Sequence, residues 1–251
     1  MDNDQIEGKN VVLEALRAGR PINRILLAEG MRQLQEIRGL ARQLGIPVEL
    51  VKRERLDRES VTGRHQGVIA QAAAKGYAEL EDLLSLAAQR GQAPLLLVLD
   101  GIEDPHNLGA LLRTVETAGA HGVVIPKHHA VGLTAAVARA SAGAMEYVSV
   151  ARVTNLVRAI GELQEAGLWV YGADANGEKI YWETDLRRPL ALVVGGEDRG
   201  ISRLVKEKCD LLVRIPMQGS ISSLNASVAG ALLLYEARRQ RWPTPGPTGP
   251  D

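Results

Sequence analysis

Apolar and polar positions along the chain follow two rhythms, one with the helical period and one of short unbroken apolar runs. VVLEALRAG and LQEIRGLARQLG carry the first and predict amphipathic helices, whereas INRILLAE, IPVELV and HQGVIAQAAA carry the second and predict strands. The charged stretch KRERLDRES lies between the last two of these runs. Residues 1–75 therefore read as a small α/β domain. Residues 76–93 read as a linker carrying one helix, its exit marked by Gly91 and Pro94. From Pro94 the alternation restarts more strongly. LLLVLD is a continuous apolar run of the kind buried on both faces of a parallel sheet, followed by a helix at LGALLRTVETAGA. GVVIP, a helix near LTAAVARASAGA, then LVRAIGELQEAG, LWVYGAD, LALVVGGEDRG, LVKEKCD and LLVRIP continue it to residue 242. Residues 94–242 thus form a second α/β domain with a largely parallel sheet. PTPGPTGPD, residues 243–251, is rich in Pro and Gly and reads as a flexible tail.

Composition narrows the function classes. The 251 residues carry 45% apolar side chains, enough for an ordinary core, with no apolar run of membrane-spanning length and no secretory signal pattern at MDNDQIEGKN. A cytoplasmic location is expected. The single cysteine, Cys209, excludes an internal disulfide and a thiolate zinc cluster, and it reads as a small core residue. Five histidines show no spacing suited to a metal, so none is expected. Thirty basic residues balance thirty acidic ones, and residues 1–75 hold only a small basic excess, 13 against 10. Any nucleic-acid contact must therefore be local. The absence of Phe argues against an aromatic platform for single-stranded bases.

Three loops follow strand-like runs and precede helices, where ligands gather in open α/β sheets. They are DGIEDPHNLGALLRT, VVGGEDRGIS and IPMQGSISSLNAS. In the first, Asn107 either caps the helix or faces a ligand, and Arg113 either packs its stem among Leu111, Leu112 and Val115 or faces a phosphate. In the second, Gly195 and Gly196 are expected to let backbone approach a ligand, with Glu197 projecting into the cleft. In the third, the surplus of small residues exceeds what a helix cap needs. GADANGEK, a near miss for a phosphate loop, reads as a turn.

Taken together, DPHNLGALLRTVETAGAHGVVIP, LALVVGGEDRGI and LLVRIPMQGSISSLNASVAGALLLYEARRQ resemble, in order and spacing, the three signature blocks of the SpoU (TrmH) family of RNA ribose 2'-O-methyltransferases in the SPOUT superfamily. IEGKNVVLEALRAG and HQGVIA are similar to its L30e-like substrate-binding domain. The resemblance implies a trefoil knot near the C-terminus and S-adenosyl-L-methionine as cofactor, resting against Gly195, Gly196, Ile215, Met217 and Leu224. It implies further that Asn107, Arg113, Glu197, Ser223 and Asn225 surround the reacting ribose, with Arg113 assigned the hydroxyl's proton; because a guanidinium keeps its own proton to pH above about 12, an electrostatic role is expected of it instead. The substrate it implies is RNA, foremost a guanosine of 23S ribosomal RNA, and the assembly a homodimer through the catalytic domain. The apolar stripe VAGALLLYEA serves either that interface or an internal core. A transfer-RNA 2'-O-methyltransferase and a non-catalytic ribosome-assembly factor on the same fold remain the competing readings.

Overall fold

The computed structural model describes residues 3–242, so the expected tail at 243–251 lies outside the described residues. The chain begins with β1 (Asn3–Glu7), α1 (Lys9–Arg17), β2 (Ile22–Ala28), α2 (Gln35–Gln43), β3 (Val48–Val51), α3 (Arg53–Glu59) and β4 (Val68–Ala73). These strands make a four-stranded sheet in the order β1-β4-β2-β3, antiparallel except for β2 with β3. β1 is not among the runs expected from the pattern. Nor is α3: the charged KRERLDRES folds as a helix because one buried apolar residue, Leu56, anchors it to the sheet.

Helix α4 (Leu80–Gln89) follows, expected inside a linker. It is instead part of a core, with Leu80, Leu83 and Ala87 buried against the second sheet. Next come β5 (Leu95–Asp100), α5 (Pro105–Thr117), β6 (Gly122–Pro126), α6 (Ala135–Ala140), β7 (Val150–Val153), α7 (Leu156–Glu165), β8 (Trp169–Ala173), β9 (Lys179–Ile180), β10 (Leu190–Gly195), α8 (Arg203–Lys208), β11 (Leu211–Arg214) and α9 (Ala226–Arg241). The second sheet runs β7-β6-β5-β10-β8-β11-β9, with every neighbouring pair parallel. Three details differ from the pattern reading. β7 was not expected, the end of the turn-like GADANGEK adds the short edge strand β9, and the helix near LTAAVARASAGA stops at Ala140. It stops because Ala142 and Gly143 take left-handed backbone, with φ of 52° and 93°.

The continuous apolar runs serve two cores at once. Side chains alternate across a strand, so Leu95, Leu97 and Leu99 enter one core while Leu96 and Val98 enter the other. β10 divides likewise, Leu190, Leu192 and Val194 against Ala191 and Val193. The first core lies under α5, α6 and α9 and continues into the N-terminal sheet. Cys209 packs half-buried against the second; burial first, then Asp210 and Asp100, pushes its thiol up to about 12.

Polar contacts fix the two sheets relative to one another. Arg20 pairs with Glu146 at 2.8 Å with both side chains nearly inaccessible, and Lys75 donates to the Glu146 carbonyl at 2.7 Å. Burying this pair is tolerable because each charge has the other as its partner and Arg20 donates a further hydrogen bond to the Ala73 carbonyl. Tyr147 adds a bond to Glu14 at 2.6 Å.

Within the N-terminal sheet, Glu7 is 3% exposed and its carboxylate gathers the loop after α3. Burial alone would raise its pKa, but hydrogen bonds from Ser60, Thr62, Gln5 and the Val61 amide outweigh this and hold it at about 2. A depressed carboxyl pKa stabilises the fold above the ordinary value of 4.5, and that contribution disappears as pH falls from there towards about 2. Glu7→Gln is expected to cost about 3 kcal/mol at neutral pH. Urea melts over a pH series should show the variant and the parent converging in acid; parallel curves would refute the coupling.

Candidate active site

The loops leaving the C-terminal ends of β5, β10 and β11 meet at the starts of α5 and α9. Asp104 caps α5, accepting from the His106 amide at 3.0 Å, and Pro105 occupies the first helical position, where no amide is needed. The capping role weighed for Asn107 thus belongs to Asp104. Asn107 sits in the first turn with only 8% exposure. The cap of α9 is Asn225, whose Oδ1 accepts from the Ser227 amide at 2.9 Å and the Ser227 hydroxyl at 2.5 Å.

That cap sets the amide's orientation. With Oδ1 committed to the helix, Asn225 Nδ2 donates to Asn107 Oδ1 at 2.9 Å and also to Glu197 Oε1. Asn107 Nδ2 donates to the same Glu197 oxygen at 3.1 Å. Residues far apart in sequence, one from each loop, therefore close a single polar triangle. Glu197 Oε1 is doubly bonded, whereas Oε2 accepts nothing from the described residues.

Beside the triangle lies a cavity of about 280 Å³ that all five expected cofactor residues line: Gly195, Gly196, Ile215, Met217 and Leu224. Ser223 and Glu197 also line it, Ser223 without joining the triangle. Its walls are apolar at Val194, Val213, Ala226 and Ala229 and polar at Asn176 and at Lys206 paired with Asp174 at 2.5 Å. Burial would raise the Asp174 carboxyl, but Lys206 and the Asn176 amide hold it below its usual range. A mixed lining of this kind suits a ligand with an aromatic base, a ribose and a charged end. A second cavity, of about 630 Å³, opens past Asn107 and shares Gly196, Glu197, Arg199 and Gly200 with the first.

Gly195, Gly196 and Arg113 stand apart from the other expected residues. A Cβ on Gly195 would lie 2.0 Å from the Gly200 carbonyl carbon, and one on Gly196 would lie 2.4 Å from the Gly101 oxygen. The space those glycines leave is filled by the chain's own backbone rather than by a ligand. Arg113 does not join the triangle and lines neither cavity. It is exposed on α5, without a side-chain hydrogen bond or ion pair to any described residue. Sequence reasoning also passed over Asp174, Lys206 and Arg199. The first lies at a strand end inside GADANGEK, a position that deserved the same scrutiny as the other strand-end loops.

Comparison with known proteins follows this geometry. The SpoU rRNA Methylase family matches residues 94–235, and a family described as RNA 2'-O ribose methyltransferase substrate binding matches residues 5–78. YacO of Bacillus subtilis strain 168, named for the TrmH family of tRNA/rRNA methyltransferases, is 50% identical over 243 residues, covering 96% of this chain and 97% of that protein. The SpoU methyltransferase AviRb from Streptomyces viridochromogenes, solved in complex with the cofactor AdoMet, superposes with a TM-score of 0.81 at 25% identity, over 95% of this chain and 90% of that one. A crystal structure of an RNA 2'-O ribose methyltransferase gives 0.77 at 32% identity, over 95% and 89%.

Proposed function

Because the chain belongs to the SpoU rRNA Methylase family, whose members use S-adenosylmethionine, we propose that it methylates the 2'-hydroxyl of a ribose in RNA, in a guanosine of 23S ribosomal RNA. The observation that carries this is the Asn107–Glu197–Asn225 triangle on the rim of a cavity lined by Gly195, Gly196, Ile215, Met217 and Leu224. When bound, S-adenosylmethionine supplies an electrophilic methyl group on a sulfonium. The cavity's apolar walls exclude water, and Asp174 with Lys206 holds the polar end of the ligand. Asn107 and Asn225 fix Glu197 through one oxygen, leaving the other to accept the hydrogen bond of the 2'-hydroxyl and orient it. Ser223 lies beside it on the cavity wall. The carbon–oxygen bond would form as the carbon–sulfur bond breaks, the hydroxyl proton would pass to the open oxygen of Glu197, and Arg113 would supply positive charge beside the developing alkoxide. The family's knot is part of the same proposal.

Incubation of the protein with labelled S-adenosylmethionine and unmodified ribosomal and transfer RNA, followed by mapping, tests it. Label on a ribose 2'-oxygen of 23S ribosomal RNA is expected. Label on a base, or RNA binding without transfer, would overturn it.

We further propose a homodimer through α5 and α9. Helix α9 is apolar on two faces: Ala226, Gly230, Leu233, Leu234 and Ala237 are buried, while Val228, Leu232 and Tyr235 remain 46%, 37% and 50% exposed along an opposite stripe. An apolar stripe left in water at this spacing calls for a second surface. Helix α5, which carries Arg113, contributes Ala110 and Thr114 to one groove with Val228, Leu232 and Tyr235. Across the interface Arg113 reaches the partner's ribose site. Light scattering should give twice the chain mass of 27.0 kDa for the parent and a single chain for Leu232→Asp. A monomeric parent would refute the interface.

A further inference from the structure

A third cavity, of about 320 Å³, lies between the N-terminal sheet and α6, lined among others by Gly8, Asn10, Arg64, Gln66, His106 and Arg139. Its position relative to the polar triangle is fixed by the chain itself. His106 faces this groove, and the next residue, Asn107, belongs to the triangle and lines the second cavity. Glu197 then joins the second cavity to the cofactor cavity. The groove and the second cavity thus meet at the first turn of α5, and the second cavity leads on to the first through Glu197.

The groove is basic, and its charge is uncompensated. Arg64 is exposed, and its side chain makes no hydrogen bond or ion pair with a described residue; only its amide is engaged, by the Thr62 hydroxyl. Arg139, from the other domain, spends one N–H on the Thr62 carbonyl at 3.4 Å and keeps the rest of its fork. The one carboxylate in the lining, Glu7, is 3% exposed and saturated on both oxygens by Gln5, Ser60, Val61 and Thr62. It cannot pair with either arginine without giving up those bonds. The start of α1 opens on the same groove and adds field of the same sign, since its cap, Gly8, has no side chain.

We propose that this groove holds the phosphodiester backbone of the RNA flanking the methylated nucleotide, with Arg64 and Arg139 as phosphate ligands supplied by separate domains. The proposal rests on the 2'-O-methylation reading above and adds the path by which the strand reaches the triangle. Fork-shaped guanidinium groups suit phosphate oxygens, and such contacts position a strand without reading its sequence. The family match described as substrate binding, residues 5–78, includes Gly8, Arg64 and Gln66.

The test is the salt dependence of binding to an unmodified 23S ribosomal RNA transcript, followed by fluorescence anisotropy. Each phosphate contact releases counterions, so Arg64→Gln should weaken binding about tenfold and reduce the slope of log K against log salt by about 1. Arg139→Gln should do the same and Arg139→Lys should retain the slope, which separates charge from the bond to Thr62. Calorimetry should show S-adenosylmethionine binding unchanged in all three. The Arg64 side chain has no hydrogen-bond or ion-pair partner among the described residues, so its replacement breaks no such contact. An unchanged slope and affinity in Arg64→Gln would overturn the groove assignment, including the case in which the groove takes an acidic protein segment instead. A parent that transfers no methyl group to RNA would count against the proposed function, and the two failures are therefore distinct.

Discussion

Asn225→Ala is expected to lower methyl transfer on the order of 10²-fold while the protein stays folded. The residue has two tasks that the structure separates by atom. Its Oδ1 caps α9 through Ser227, and its Nδ2 holds Glu197 and Asn107. Loss of the cap costs about 1 kcal/mol. Loss of the Nδ2 donor releases Glu197 from the fixed position that a 2'-hydroxyl would need. Asn225→Asp keeps an acceptor for the helix amides but places a second carboxylate against Glu197. It should therefore melt closer to the parent than the alanine variant and still be inactive. Activity near the parent's in either variant, measured with labelled cofactor on the same transcript, would remove the triangle from the mechanism.

Arg113→Ala is expected to leave the melting temperature unchanged, because the side chain is exposed and has no polar partner among the described residues. Methyl transfer should nonetheless fall by about 10²–10³-fold, the usual loss when one electrostatic contact to a developing oxyanion is removed. A mixing experiment decides where Arg113 acts. If it serves the partner's site, a heterodimer of Arg113→Ala and Asn225→Ala chains contains one undamaged site. An equal mixture allowed to exchange should then recover about a quarter of the parent activity, since half the dimers are mixed and each has one good site of two. If Arg113 serves its own chain's site, every site in the mixture carries a lesion and nothing is recovered. That outcome would refute the trans arrangement while leaving the residue's importance to be judged from the single variant.

The apolar stripe in VAGALLLYEA illustrates how far periodicity reaches. Sequence left it as either an interface or a core, and α9 places its residues on both a buried face and an exposed one. A helix apolar on two sides has too little polar contrast for its buried face to be told from its spacing. KRERLDRES failed for the opposite reason: a single buried leucine among charges gives no period at all. The strands of the parallel sheet were legible because burial on both faces requires unbroken apolar runs, and LLLVLD and LALVVG have them. β9, two residues long at an edge, has no such requirement.

By itself the sequence determined the class of fold and the three strand-end loops, because strand burial and loop chemistry are written locally. Tertiary structure decided the rest. Which oxygen of Glu197 is occupied, which residue caps α5, and what fills the space above Gly195 and Gly196 depend on atoms brought together from distant parts of the chain. The separation of Arg113 from the triangle has the same origin. Its neighbours in sequence place it on α5, but only the meeting of the three loops decides that Asn107, from the same helix, bonds to Glu197 and Asn225 while Arg113 does not.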